Sequence, residues 1–268
     1  PFRQPMTQEQ RMTTIVTFKV SDGIVMGADS AMTTNKGKLG SNRYDSYHKL
    51  NPIGDYPLVT AMWGAGYING RNVGSLVHEY SRSGRKALGK DKWTAEGVAN
   101  DLAEFIDQHF QRKDCDTCPG KHLEMLVSGY SSGAYQGEQW HLQFPGGKVQ
   151  RRQGPDDLAL SWDGVTEDIR TLWWGHHPRL HSVLTKHGME SEKAQEAVRE
   201  LENETAWGPQ RVDFSMPVQD AAELVAFLIQ VQATAERFKP TPIRTAPPID
   251  LAVVRYDGVH WIRRKSID

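Results

Sequence analysis

Residues 13–29 read TTIVTFKVSDGIVMGAD, and this stretch decides the fold. Thr13–Val20 alternates and is rich in β-branched residues, which is typical of a β-strand. Asp22 and Gly23 form a turn signal, and Ile24–Asp29 follows as a second strand. The stretch therefore predicts a tight antiparallel hairpin whose second strand ends on an acidic residue.

Outside the hairpin, the spacing of apolar residues switches between strand and helix in blocks. Further strands are predicted at Ser46–Ile53, Leu58–Trp63, Leu123–Tyr130, Gln139–Phe144, Val149–Gln153, Leu158–Ser161, Ile249–Tyr256 and Val259–Ile262. Helices are predicted at Ile68–Arg82, Trp93–Gln111, Thr166–Trp174, Ser191–Glu202 and Pro217–Phe238. Because strands and helices do not alternate regularly, this order predicts an α+β fold with two antiparallel sheets packed together and helices outside.

The composition excludes several functional classes. The 268 residues include 32 Lys and Arg against 33 Asp and Glu, so we expect no whole-surface binding to nucleic acid. The most apolar stretch, Leu224–Ile229, is far shorter than the roughly 20 residues that cross a bilayer. The polar residues at the start of the sequence contain no apolar signal segment. We therefore expect a cytoplasmic protein with no membrane span.

Metal binding is weakly supported. Cys115 and Cys118 form a single Cys-x-x-Cys, but a structural zinc ion normally takes four ligands and the chain has no other cysteine. The histidines between residues 176 and 187 follow no metal-ligand pattern. We interpret the cysteines as loop thiols and predict neither a metal nor a cofactor.

Three polar residues of the first strands could carry chemistry. Thr13 begins one strand, Asp29 ends the next, and Lys49 lies in the third predicted strand. Antiparallel neighbours place the start of one strand beside the end of the other, so a hydroxyl, a carboxylate and an ammonium group could meet at one sheet edge. On pattern alone the ordinary interpretation is stronger: a β-forming threonine, an aspartate at a strand end and a solvated lysine.

The motifs around these residues resemble proteasome β-type subunits, a family of N-terminal nucleophile (Ntn) hydrolases. The matching segments are Thr13–Val16, Asp22–Ser30, Lys49–Leu50, Trp63–Gly66 and the closing strand Ile249–Val254. The similarity is strongest over the first fifty residues after Thr13 and only topological in the middle of the chain. It implies a four-layer αββα sandwich of two antiparallel sheets between helical layers.

The resemblance also implies roles for individual residues. Thr13 would be the nucleophile, with its own freed α-amine as the base. Lys49 would lie beside it as a fixed cation, oriented and neutralised by Asp29. The backbone N–H of Gly64 would help to hold the oxyanion.

The domain prediction has three parts. Residues 1–12 are a leader or N-terminal extension, and residues 13–268 form one Ntn-hydrolase domain. About residues 176–213 form an inserted segment with a highly charged helix, which we interpret as solvated surface.

The sequence departs from the family pattern at several places. Met12 precedes Thr13, where the family usually has glycine, so the threonine amine must be freed either by processing or by a start at Met12. Asp163 and Gly164 stand where the family has Ser-Gly, and Thr245 is a candidate replacement for a later supporting serine. Phe238–Lys239 lies where a supporting aspartate is expected, so that part of the site is altered.

Several functions remain open at this point. The resemblance implies a homo-oligomeric ring that cleaves peptides or unfolded proteins and could work with a separate ATP-dependent unfoldase. One alternative is a non-catalytic ring-forming subunit that retains its leader over Thr13. Another is an Ntn amidase that acts on a small amide.

Overall fold

The computed structural model describes residues 13–35, 41–85, 87, 89, 92–110, 122–205 and 212–265. The predicted leader, the Cys115–Cys118 pair and part of the predicted insertion lie outside the described residues. Among the described helices, none combines the length and the apolar character that a membrane span needs.

The first large sheet contains the predicted hairpin and the closing strands. Its five strands, in spatial order, are β12 (Ala159–Gly164), β1 (Thr14–Val20), β2 (Gly23–Ala28), β13 (Asp250–Arg255) and β14 (Gly258–Arg263). All neighbours are antiparallel. Strands from the two ends of the sequence therefore meet at β2.

The second large sheet comes from the middle of the chain. Its strands, in spatial order, are β11 (Lys148–Gln153), β10 (Glu138–Phe144), β9 (Leu123–Gly129), β6 (Leu58–Gly64) and β5 (Leu50–Pro52). Two small sheets complete the strands: β3 (Met32–Asn35) with β4 (Ser41–Tyr44), and β7 (Tyr67–Ile68) with β8 (Arg71–Asn72).

Six helices lie in the described residues. They are α1 (Val73–Arg82), α2 (Ala95–Phe110), α3 (Glu167–Trp174), α4 (Leu180–Lys186), α5 (Ser191–Thr205) and α6 (Val218–Glu236). Helix α6 packs on β1 and β2, whereas α1 and α2 pack on the second large sheet.

A buried apolar cluster joins the two large sheets. Ile15 and Ile24 of the first sheet contact a group that includes Val59 and Leu126 of the second, and all four are fully buried. Since strand residues alternate between faces, the other residues of β1 point toward α6. This alternation fixes which residues of the first strand face the space between the sheets.

The prediction of a four-layer αββα sandwich with two antiparallel sheets is wrong. The described residues form four antiparallel sheets, and α4 and α5 make their main packing contact with each other. The architecture is a mixed arrangement of helices with five-stranded and two-stranded sheets. The small sheets escaped prediction because strands of two to four residues are too short to show alternation.

Most of the long predicted elements are confirmed with small shifts at their ends. The predicted helix Ile68–Arg82 is partly wrong, because its first residues form β7 and β8 and the helix begins at Val73. The predicted strand Ser46–Ile53 shrinks to the three residues of β5. The charged helix of the predicted insertion is present as α5, in which Ala194 is the buried residue.

Ile229→Ala tests the packing of α6. We expect it to lower the free energy of unfolding by about 2–5 kcal/mol, because Ile229 is fully buried against the first sheet. Glu223→Ala, on the exposed side of the same helix, should change it by less than about 0.5 kcal/mol. Urea unfolding of both variants measures the difference, and equal losses would contradict this orientation of α6.

Candidate active site at the start of the first strand

Thr13 and Thr14 are held at the start of β1 by the end of β12. The N–H of Val165 donates to the Thr13 carbonyl over 2.6 Å, and the Thr14 hydroxyl donates to the Val165 carbonyl over 2.6 Å. The Thr14 hydroxyl also lies 2.8 Å from the Thr245 hydroxyl. Thr13 itself is only 3% exposed.

Gly164 permits this close approach of β12 to Thr13. Its φ is +82°, and a Cβ at this position would lie 1.9 Å from the Thr13 carbonyl oxygen. A residue with a side chain would therefore clash with backbone as well as adopt a strained conformation. Asp163 and Gly164 are the last two residues of β12.

The Asp29 carboxylate collects four donors. Oδ1 accepts from the Thr14 N–H at 2.8 Å and from Lys49 Nζ at 2.6 Å. Oδ2 accepts from the N–H groups of Ala31 at 3.0 Å and Ala246 at 3.1 Å. The Thr14 N–H belongs to the peptide that joins it to Thr13, so Asp29 binds directly beside the predicted nucleophile.

Lys49 and Asp29 form a buried ion pair. Their side chains are 3% and 0% exposed. Burial lowers the pKa of Lys49 below its ordinary value, and the charge of Asp29 opposes that shift. Lys49 keeps its place because its carbonyl accepts from the Met62 N–H of β6 at 3.1 Å.

Gly64 ends β6, on the sheet that faces β1. Its φ is +92°, and a Cβ there would lie 2.4 Å from the His122 carbonyl oxygen. The hydrogen bonds place Gly64 against β9, and its oxyanion role stays a prediction. The structure thus brings Asp29 and Lys49 together beside Thr13. Gly64 belongs to the second large sheet, where its pairing with β9 holds it in place.

Thr245 follows a cluster of charged residues at the end of α6, formed by Glu236, Arg244 and Lys239, which we call the clamp. Glu236, whose side chain is fully buried, accepts from the Arg244 guanidinium at 2.9 and 3.2 Å and from the Arg244 N–H at 3.1 Å. Lys239 adds a contact of 3.1 Å. Although burial acts to raise the pKa of Glu236, the hydrogen bonds from Arg244 and Lys239 hold it below its ordinary value. The clamp fixes the residue that directly precedes Thr245.

Phe238 and Lys239 stand where the family pattern has a supporting aspartate, and neither residue supplies a carboxylate there. Phe238 is 80% exposed, and Lys239 binds Asp168 at 2.5 Å as well as Glu236. Lys239 therefore links Asp168 to Glu236 within the clamp. The sequence pointed to Thr245 but gave no signal for Glu236, because a glutamate in an amphipathic helix is typical of a solvated face.

A second group of charged residues lies on strands β9 to β12. Asp163 pairs with Arg152 at 2.6 Å, and His141 lies 2.8 Å from Glu124. Burial raises the pKa of Asp163, and the charge of Arg152 opposes the shift. Asp163 is opposite Ile15 in the register, so it lies diagonal to Thr13 on the same face of the sheet.

No group of three or more His, Cys, Asp or Glu that could hold a metal ion lies among the residues that the structure describes. Cys115 and Cys118, which we interpret from the sequence as loop thiols, lie in a segment outside that description.

Comparison with known proteins places the fold. No protein-family model and no curated protein matches the sequence. Solved structures do match, among them Anbu (ancestral beta-subunit) from Yersinia bercovieri, with a TM-score of 0.57, 14% identity, and coverage of 93% of this chain and 86% of that chain. This chain has a proteasome-like fold.

Two further Anbu structures agree with that conclusion. The helical assembly of the Anbu complex from Pseudomonas aeruginosa gives a TM-score of 0.58 at 16% identity over 96% of this chain and 88% of that chain. Anbu from Hyphomicrobium sp. strain MC1 gives 0.56 at 17% identity over 94% and 86%. The relationship to the proteasome-like fold is confirmed, and at this identity it concerns the fold alone.

Gly164→Ala tests the close approach of β12 to Thr13. We expect it to destabilise the protein by roughly 3 kcal/mol or more, because the backbone must move. Gly133→Ala is the matched control: its φ is +73° but nothing lies within 4 Å of an added Cβ, so it should cost only about 1–2 kcal/mol. Thermal unfolding compares them, and equal costs would contradict the packing described.

Proposed function

We propose that this protein is a threonine-type peptide hydrolase in which Thr13 is the nucleophile once its α-amine is free. The observation that carries the proposal is the fully buried Lys49–Asp29 pair, hydrogen-bonded to the peptide beside Thr13. Burying two charges costs desolvation energy, and a purely structural position could be filled by apolar residues of similar size. A fixed cation beside a threonine is useful for activating its hydroxyl.

The proposed reaction uses the two polar groups of Thr13. Its α-amine, in the neutral form, takes the hydroxyl proton while Oγ attacks the carbonyl carbon of a peptide bond. The C–N bond breaks, the proton passes to the leaving amine, and an ester on Thr13 is left for water to hydrolyse. A terminal amine has an ordinary pKa of roughly 7.7–8.0, so a useful fraction is neutral near pH 7.5.

The neighbouring residues have distinct proposed roles. The positive charge of Lys49 favours the alkoxide form of Thr13 and the neutral form of its amine. Asp29 accepts one hydrogen bond from Lys49 and is itself held in place by three backbone N–H donors. Gly64 offers its backbone N–H to the oxyanion, and its lack of a side chain lets substrate approach.

We also propose that copies of the chain assemble and enclose these sites. The support is the proteasome-like fold and the similarity to an Anbu protein whose structure is described as a helical assembly. The substrate class is a peptide or an unfolded protein chain that can enter the enclosed space. A separate ATP-dependent unfoldase would supply such chains.

A second candidate is a non-catalytic subunit of the same assembly. The observation that favours it is the burial of Thr13, which is 3% exposed in a chain that carries residues before it. The two candidates differ in whether the Met12–Thr13 bond is cut, because a threonine amide nitrogen cannot act as the base.

Thr13→Ala is the direct test of the nucleophile. Protein produced from a cleavable fusion, so that residue 13 is the first residue, should hydrolyse a fluorogenic peptide. Thr13→Ala should reduce kcat/KM at least about 10³-fold, because no hydroxyl remains to attack. Thr13→Ser, which keeps both the amine and the hydroxyl, should retain measurable turnover. Full activity of the alanine variant would exclude Thr13 as the nucleophile.

Lys49→Met tests the role of the cation. We expect kcat to fall about 10²-fold or more, since the stabilising charge is lost from the site. Lys148→Met removes an exposed lysine from β11 and should leave kcat unchanged. Steady-state kinetics on both variants, with circular dichroism to verify folding, make the comparison. A folded Lys49→Met variant with normal kcat would remove the basis of the proposal.

A further inference from the structure

A second buried lysine lies beside the Asp29–Lys49 pair. Lys265 Nζ binds Asp250 Oδ2 at 2.8 Å, and the two side chains are 4% and 0% exposed. Its backbone N–H also donates to Asp250 Oδ1 at 2.9 Å. Lys265 follows the last strand, and no sequence motif distinguishes it.

The second pair lies at the same end of the first large sheet as the first pair. Asp250 begins β13 and lies opposite Ala28, the residue before Asp29, so the two carboxylates leave adjacent strands at the same end. The Lys265 ammonium donates to the hydroxyl of Ser30 at 2.7 Å and to the Tyr47 carbonyl at 2.6 Å. It therefore binds the residue after Asp29 and the residue two before Lys49.

We propose that the Lys265–Asp250 pair sets the electrostatic potential at the Asp29–Lys49 site and thereby the pH at which the enzyme becomes active. This inference rests on the proposed function. The two pairs together place two ammonium groups and two carboxylates close to one another, and all four side chains are buried. Charges interact more strongly there than in water, so removing one ion changes the potential at its neighbours.

The direction of each effect follows from charge. Burial is the main cause that lowers the pKa of Lys49, and Lys265 acts in the same direction while Asp29 opposes both. Burial also lowers the pKa of Lys265, against the charges of Asp250 and Asp29. A positive charge at Lys265 lowers the pKa of the Thr13 amine in the same way, and keeps more of the base neutral.

Other titratable groups face the pair. His48 Nδ1 lies 3.6 Å from Asp250 Oδ2, and burial lowers the pKa of His48 while Asp250 raises it. Arg264 adds a positive charge near His48, and Asp45 adds a negative charge that acts on Lys49. Histidine is the residue type among these whose ordinary pKa lies closest to neutral pH, so His48 requires a control.

Two substitutions of opposite charge test the proposal in the pH profile of kcat/KM. On the acid side of this profile, kcat/KM rises as the Thr13 amine loses its proton, and we call this rise the acid limb. Lys265→Met leaves Asp250 unpaired, so the acid limb should move up by about half to one pH unit, because the Thr13 amine then holds its proton more strongly. Asp250→Asn leaves Lys265 unpaired, so the limb should move down by a similar amount. A purely structural role would lower the rate without opposite shifts.

Controls cover folding and the source of the limb. The double variant Asp250→Asn, Lys265→Met removes both ions, so it avoids an unpaired buried charge, and its limb should return to within about 0.3 pH unit of the parent. Lys265→Arg keeps the charge and should also keep the limb. His48→Gln should leave the limb in place, and loss of the limb in that variant would assign it to His48 and overturn the inference.

The outcomes separate this inference from the proposed function. If the parent protein that begins at Thr13 shows no turnover, the proposed function fails. If the parent is active but the two single variants shift the limb in the same direction or not at all, or the double variant stays displaced, the role of the second pair is refuted.

Discussion

The structure depends on one constraint, the burial of an ammonium–carboxylate pair at the end of the first large sheet where β1 begins and β2 ends. An unpaired buried charge costs several kcal/mol, so every lone pair of Asp29 must find a donor. The donors come from β1, from the chain that follows β2, from Lys49, and from Ala246 near the end of the sequence. Satisfying one carboxylate therefore brings four separate parts of the chain together.

The segment before β13 is fixed by this requirement. Ala246 donates to Asp29, and its carbonyl accepts from the Ser30 N–H at 2.9 Å. On one side the segment is clamped by Arg244 to Glu236, and on the other it leads into β13 and the second ion pair at Asp250. Buried ion pairs thus connect α6, β2 and the last strands to the start of β1.

Much of this arrangement could be predicted from the sequence, and the limits have physical reasons. The long strands and helices carry clear periodicity, and Thr13, Asp29 and Lys49 lie in recognisable motifs. The structure places Asp29 and Lys49 in contact, and the catalytic roles of the three residues stay predictions. The predicted number of sheets was wrong because strands of two to four residues are too short to carry a periodic signal. Glu236 and Lys265 were missed because their partners are distant in the chain, and a charged residue shows no sign in the sequence that it is buried.

The central claim is that the buried pair serves a threonine with a free amine and hydroxyl. Intact-protein mass spectrometry before and after treatment with a peptide epoxyketone, which needs both groups on one threonine, tests it most directly. The account predicts a protein that begins at Thr13 and gains the mass of one inhibitor. A protein that begins at Thr13 but gains no inhibitor would contradict the claim, and a chain that retains residues before Thr13 and gains none would favour the non-catalytic subunit.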